Sequence, residues 1–258
     1  MKFKIISTAL SDMIFPPKCA SCGETIETKK ISRALCGICY EKFTTESRLP
    51  CAVCGREYSL CLCKPKNFLP DGFAYSLPYN KADGITRKLI LSCKNRKNRA
   101  VFEEITDRMV LTAQKRSIIE KETLVTYVPR APEKELRFGI DQAEELARLF
   151  ASKTGLVFMP LLRHRGFSLD QKYLGEERRE TNADRNYYLI LHSEELLSGK
   201  NIILIDDVVT SGATVNACTA LLRETGAASV FCLSAAKNIK IYREYERDSR
   251  LVSDIPNH

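Results

Sequence analysis

The chain has 258 residues, room for one large domain or an ordinary domain joined to a small one. With 44% apolar and 28% charged residues its make-up is that of an ordinary folded protein, and no apolar run nears the roughly 20 residues that a membrane-spanning helix needs. The formal charge of +8 would suit an acidic partner, but only if it survives an accounting of the eleven cysteines.

Met1 to Phe15 carries an apolar stretch with two lysines, the outline of a secretion signal. Asp12 interrupts it and no small-residue cleavage site follows, so it reads as a short amphipathic helix packed on the body, and the protein as cytoplasmic. Residues 1–66 then form a cysteine-rich module, punctuated by Pro16-Pro17, Pro50 and Pro65 and too poor in apolar runs to build a core without a staple. Eight of the eleven cysteines fall between Cys19 and Cys63. Cys19-x-x-Cys22 and Cys36-x-x-Cys39 are separated by thirteen residues, close to zinc-ribbon spacing, and Cys51-x-x-Cys54 with Cys61-x-Cys63 offers a second set. Four thiolates leave Zn²⁺ no open position, so two structural zinc ions are expected rather than catalytic ones. Gly23 and Gly55 follow two of the knuckles, where a tight turn aims backbone N–H groups at sulfur. Two orders of ligand sharing stay open, sequential sets or a cross-brace of Cys19/Cys22 with Cys51/Cys54. Eight thiolates on two Zn²⁺ add −8 + 4 = −4 to the formal +8, which leaves +4 and makes global charge weak grounds for a nucleic-acid partner. Cys218 and Cys232 sit in apolar stretches and read as buried small hydrophobes.

Lys64-Pro-Lys-Asn67 reads as a linker into a mixed α/β domain, 67–258. Leu124 to Val128 is a short strand stopped by Pro129, and Ile140 to Lys153 places Ile140, Ala143, Leu146, Ala147 and Phe150 on one helical face. Tyr187 to Leu191 is a further strand candidate. Asn201 to Ile205 is apolar without alternation, as a strand covered on both faces must be. Thr214 to Thr225 is helical and stops at Gly226, and Ser229 to Ala235 is a buried strand. Strand, helix, strand in this order predicts a parallel sheet flanked by helices.

Two carboxylates at the end of a buried strand need a polar site, and the carboxyl end of a parallel strand is where one forms. Asp206 and Asp207 stand there. Val208, Val209, Thr210, Ser211, Gly212, Ala213 and Thr214 follow, a run of small and hydroxyl residues entering a helix whose first N–H groups suit a phosphate. Phosphate donors beside two acceptors for sugar hydroxyls match a ribose 5-phosphate. A nucleoside triphosphate loop would end in Gly-Lys-Ser/Thr, which does not occur here. His164 and His192 have no nucleophile near them in sequence, so no catalytic triad is read.

The run Leu204-Ile205-Asp206-Asp207-Val208-Val209-Thr210-Ser211-Gly212-Ala213-Thr214 resembles the phosphoribosyl-pyrophosphate (PRPP) loop of type I phosphoribosyltransferases. From about Phe15 to Ala236 the chain resembles their ComF/GntX group: Phe15-Pro16-Pro17, the paired knuckles, Leu91-Ser-Cys-Lys94, Val128-Pro129, Phe138-Gly139-Ile140-Asp141-Gln142-Ala143, Arg163-His-Arg165, Gln171-Lys-Tyr-Leu174, Arg179 and Asn182. The resemblance implies that Asp206 and Asp207 meet the ribose hydroxyls and Thr210 to Thr214 the 5-phosphate. Pro129 and Arg130 would approach the pyrophosphate, Mg²⁺ would bridge ligand oxygens, and 163–182, with Gln171 and Arg179, would be a loop closing over substrate. It further implies assistance to single-stranded DNA uptake in natural transformation, with a DNA-uptake helicase as partner. The chain departs from the group at Phe138, where an arginine is usual, at Asn95, where an aromatic is usual, and at Ser211, a mild change from threonine. Active transfer of ribose 5-phosphate to a nucleophile and PRPP sensing without turnover are the competing classes.

Residues 79–99 hold seven basic side chains against Asp83 alone, a local +6. Lys94, Arg96, Lys97 and Arg99 are the candidate nucleic-acid contacts, weighed against an ordinary solvated face. Phe73, Tyr75 and Tyr79, just before them, suit base stacking less well than strand core.

Overall fold

In the computed structural model, residues 16–26, 32–80, 84–93, 98–132, 139–165, 186–190 and 197–239 are described. The N-terminal helix expected over Met1–Phe15 lies outside them.

Among the described residues, seven strands form two sheets. The main sheet joins β1 (Gly72–Tyr79), β7 (Ser229–Asn238), β6 (Asn201–Val209), β2 (Leu124–Tyr127) and β3 (Val157–Phe158) in that order, and all of its pairings are parallel. β4 (Leu162–His164) and β5 (Tyr187–Leu189) make a separate antiparallel ribbon. The helices are α1 (Gly37–Arg48), α2 (Ile85–Ser92), α3 (Arg99–Lys115), α4 (Gln142–Thr154) and α5 (Ala213–Glu224).

The unbroken apolar run of β6 has the expected cause. Ile203 and Ile205 join one core with α3, α4 and the first knuckles, while Ile202 and Leu204 join a second core with α5 and the later cysteines. A strand with both faces covered has no polar side to show. α4 starts at Gln142, two residues after the expected Ile140, because Asp141 caps it, its carboxylate accepting the N–H groups of Ala143 at 3.0 Å and Glu144 at 3.4 Å. The helix ends at Gly155, left-handed with φ 72°.

Among the additions to the sequence-based outline are β1, α2 and α3. β1 buries Phe73 and Tyr75 on one side and Ala74 and Leu77 on the other, so those two aromatics are strand core and not stacking platforms. α2 and α3 follow it. α3 buries Val101, Phe102, Ile105, Met109 and Ala113, a stripe at helical spacing laid against α4 and the sheet.

The cysteine-rich segment packs directly on this body. Leu35, Cys39 and Phe43 share a core with Ala74, Leu77 and Phe102, and Cys51, Tyr58 and Cys61 share the other with Phe73, Tyr75 and Val215. The two knuckle sets therefore meet opposite faces of the edge strand β1.

Candidate functional site

The cleft stands at the carboxyl ends of β6 and β2, with a volume of about 250 Å³. Its walls include Arg130, Asp141, His164, Tyr187 and the acidic pair Asp206 and Asp207. β6 runs on to Val209, so the two acids lie inside the strand's last turn of pleat and not after its end. Alternation then sends them to different sides. Asp206 follows Ile202 and Leu204 toward the α5 face, and Asp207 follows Ile203 and Ile205 toward α4.

The consequences differ. Asp206 is buried and accepts the Asp207 N–H at 2.9 Å. Burial first, and the neighbouring carboxylate second, drive its pKa well above the ordinary carboxylate range. Asp207 accepts the Val208 N–H at 2.6 Å and meets the Arg130 guanidinium at 3.2 Å. Arg130 also bonds the Gln142 amide oxygen, and its backbone N–H donates to Asp141 at 2.7 Å. Burial lifts Asp141 to about 6, in spite of the N–H groups of Arg130 and Glu144 that stabilise its charge. Arg130 thus joins the ends of β2 and β6 and the start of α4 in one hydrogen-bonded corner.

The loop after β6 has the form a phosphate needs. Thr210, Ser211, Ala213 and Thr214 are exposed, while Gly212 is buried with φ 82° and opens α5. The Ala213 N–H reaches the Ser211 hydroxyl at a long 3.5 Å, and the start of α5 brings the positive end of the helix dipole to this loop. On the opposite wall His164 and Tyr187, paired across the β4–β5 ribbon, meet edge to face at 4.9 Å between ring centres. The Tyr187 hydroxyl bonds Thr214, and burial raises that hydroxyl to about 12. His164 Nδ1 is buried and has no hydrogen-bond partner among the described residues.

Of the sequence-predicted contacts, Pro129, Arg130, Asp206, Asp207, Val208 and Thr214 come together on this cleft. Val209 lies buried at the strand end, Thr210 to Gly212 form the adjoining loop, and Ala213 is the first residue of α5. Gln171 and Arg179 lie outside the described residues. Asp141, His164 and Tyr187 enter the site without having been assigned a role. Asp141 could have been found as a cap one residue before a clear helical stripe. Nothing local marks the other two, because a ribbon pairing distant segments brings them in.

The cysteines gather in two sequential sets, the grouping that sequential ligand sharing would use. The sulfurs of Cys19, Cys22, Cys36 and Cys39 lie within 4.8 Å of one another, as do those of Cys51, Cys54, Cys61 and Cys63. A tetrahedral Zn–S bond of about 2.3 Å places sulfurs about 3.8 Å apart. Cys22 and Cys36 stand at 3.7 Å and Cys54 and Cys61 at 3.5 Å, so both sets fit the ion. Backbone N–H groups bond the thiols as expected, Glu24 to Cys22 and Arg56 to Cys54. Cys218 and Cys232 are buried in the core.

Lys94, Arg96 and Lys97 lie outside the described residues. Arg99 opens α3 and pairs with Glu103 at 3.0 Å, so its charge is locally answered. No helix among the described residues is long and apolar enough to cross a membrane.

A family model described as the phosphoribosyl transferase domain matches residues 140–258. No curated protein matches the chain. Among solved structures, the glutamine PRPP amidotransferase of B. subtilis aligns with 53% of this chain and 27% of its own, at 18% identity and a TM-score of 0.38. An adenine phosphoribosyltransferase from Thermoanaerobacter pseudethanolicus aligns with 55% of this chain and 82% of its own, at 18% identity and a TM-score of 0.33. The PRPP synthetase of Mycobacterium smegmatis aligns with 51% of this chain and 33% of its own, at 18% identity and a TM-score of 0.29. The chain thus spans about a quarter of the amidotransferase and a third of the synthetase. The chain thus joins a five-stranded parallel sheet flanked by helices, a match to the phosphoribosyl transferase domain over 140–258, and two cysteine clusters able to bind zinc.

Proposed function

We propose that this protein binds PRPP with Mg²⁺ in the cleft between β6, β2 and the β4–β5 ribbon, and that two Zn²⁺ ions hold its cysteine-rich segment. The carrying observation is the acidic pair Asp206 and Asp207 in one cleft with the open N-terminus of α5. A ribose 5-phosphate uses both at once, its hydroxyls donating to carboxylates and its phosphate accepting from N–H and hydroxyl groups. Arg130 stands where Val128 and Pro129 leave β2 and would face the pyrophosphate. Mg²⁺, when bound, would offset pyrophosphate charge and orient its oxygens. Calorimetry on Asp206→Asn/Asp207→Asn tests this reading. The pair of substitutions removes the Asp207 carboxylate, a charged acceptor worth about 1.5–3 kcal/mol, and the Asp206 carboxyl beside it, so PRPP affinity should collapse in a folded protein, and unchanged affinity would refute the assignment.

One observation favours turnover as well. His164 lines the same cleft and its Nδ1 has no hydrogen-bond partner among the described residues, a polar group available to an acceptor next to the sugar. In such a transfer the C1–O bond to pyrophosphate breaks, pyrophosphate leaves with the electron pair, and the acceptor bonds C1 and gives up a proton. The protein's part would be to position and to stabilise charge. Release of pyrophosphate on incubation with PRPP, Mg²⁺ and a panel of bases and amines tests it, and silence across the panel would leave PRPP sensing as the reading.

The ComF-like role in handling single-stranded DNA is the finer proposal. It is supported by the resemblance of the motifs and by α2, which buries Ile85, Thr86, Leu89 and Ile90 and leaves Lys88 exposed beside the basic stretch. A cytoplasmic setting agrees with clustered thiolates, which need a reducing compartment.

A further inference from the structure

The last zinc-site cysteine and the phosphate loop are far apart in sequence, yet the structure connects them twice. Residues 64–67 read as a linker, but the segment they begin is pinned. Asn216 on α5 clasps it from both sides, its amide donating to the Asn67 carbonyl at 2.8 Å and accepting the Leu69 N–H at 2.9 Å. Asn67 itself is left-handed, with φ 52°. The clasp lays Phe68 and Pro65 on Gly212. A Cβ at Gly212 would stand 2.7 Å from two carbons of the Phe68 ring and 3.4 Å from Pro65. Glycine is required there for its φ of 82° and again because the ring occupies the space.

Phe68 is in turn held from the cysteine side. It meets Phe73 edge to face at 4.9 Å, Phe73 stacks on Tyr75 at 5.6 Å, and Tyr75 meets Tyr58 at 5.8 Å, between Cys54 and Cys61 in sequence. The second connection is Lys237. The residue is 1% exposed, and its ammonium donates to the Cys63 carbonyl at 2.6 Å and lies over the Phe73 and Tyr75 rings at 5.4 and 5.3 Å. Its backbone pairs with Val209, the last strand residue before the phosphate loop. The first cysteine set belongs to the other core and has no such tie among the described residues.

We infer that the cluster Cys51, Cys54, Cys61 and Cys63 and the phosphate loop are coupled, metal in the cluster and sugar phosphate on the loop each tightening the other. The inference rests on the PRPP reading above. A metal ion fixes Cys61 and Cys63, and so the carbonyl that Lys237 grips and the segment that presses Phe68 on Gly212. Without it the wall behind the loop is free to shift, and the amides of the loop lose their common aim. Coupling of this kind is reciprocal, so both directions must show the same factor.

The test uses the zinc-loaded full chain, a zinc-selective chromophoric chelator and constant Mg²⁺. Two phases of zinc release are expected, and PRPP should slow one about fivefold or more. Cys54→Ser, at an exposed ligand, should remove the PRPP-sensitive phase and weaken PRPP binding. Phe68→Leu should keep both ions and the apolar volume, yet lose the effect of PRPP on release. If calorimetry shows PRPP bound while neither phase changes, or if the slowed phase survives in Cys54→Ser, the coupling is overturned. A Phe68→Leu protein that keeps the full effect overturns the route through the ring. If the zinc-loaded wild type shows no PRPP binding in calorimetry, the phosphate-site reading fails and takes the coupling with it.

Discussion

The Arg130 guanidinium reaches the Asp207 carboxylate at 3.2 Å across the cleft. Both side chains are mostly shielded, 16% and 24% exposed, so the pair is more than a solvent-screened surface contact. In the ligand-free protein it holds Asp207 in place. With PRPP bound, the same guanidinium would stand beside the pyrophosphate and Asp207 beside the ribose.

Arg130→Ala should therefore weaken PRPP by roughly ten- to hundredfold, the loss of one charge-assisted contact of about 1.5–3 kcal/mol. The backbone N–H to Asp141 survives the change, so the start of α4 should hold. Isothermal calorimetry of the variant against wild type decides it. Equal affinities would mean that Arg130 only neutralises Asp207.

Much of this architecture is legible in the residues, for physical reasons that also explain the gaps. β6 and β7 declare themselves because both faces of each are covered. β1 is obscured by Pro78, which a central strand would reject but which an edge strand paired on one side tolerates. α3 starts without a side-chain cap at Asn98, directly after a basic run, so its apolar stripe has no start signal. The acidic pair and phosphate loop are contiguous and readable. His164, Tyr187 and the hold of Phe68 on Gly212 depend on pairings between distant segments, which no local pattern records.

Asp206 gives a stability prediction with a definite sign. Its pKa is raised in the native state, so between the ordinary carboxylate value and the raised one the native protein binds more protons than the unfolded chain. Stability must then fall as pH rises through that window. Asp206→Asn removes this loss and can still accept the Asp207 N–H. The variant should match wild type near about pH 4 and exceed it near neutrality. Asp141, raised to about 6 by burial, acts with the same sign in both proteins. Urea midpoints at acid and neutral pH measure it, and a variant that loses ground as pH rises would contradict the burial assigned to Asp206.

The cysteine sets predict two Zn²⁺ per chain by metal analysis of reduced protein. Because β1 is an edge strand lined by both sets, removing the metal should do more than loosen residues 32–63. Amide exchange should also rise in Gly72–Tyr79, while β6, deeper in the sheet, stays protected. One ion per chain would remove one set, and an unchanged β1 would show that the sheet edge stands without the cysteine-rich segment.

The DNA proposal makes the sharpest demand on the basic stretch, which carries +6 over 79–99. A surface that tracks a single strand must displace counterions, so log affinity should fall linearly with log salt, with a slope of about −0.7 per phosphate neutralised. Arg99 already answers Glu103, and an exposed i,i+4 pair of this kind is worth only about 0.3–0.5 kcal/mol, little enough for a phosphate to displace. Changing Arg96, Lys97 and Arg99 together to alanine should flatten the slope and weaken all sequences alike, since phosphate contacts carry no base information. PRPP affinity should be untouched, because Arg99 opens α3 and lies outside the cleft. If PRPP instead competes with the strand, the phosphate loop is the DNA contact. Identical slopes and affinities for wild type and triple variant would exclude this stretch as the DNA surface.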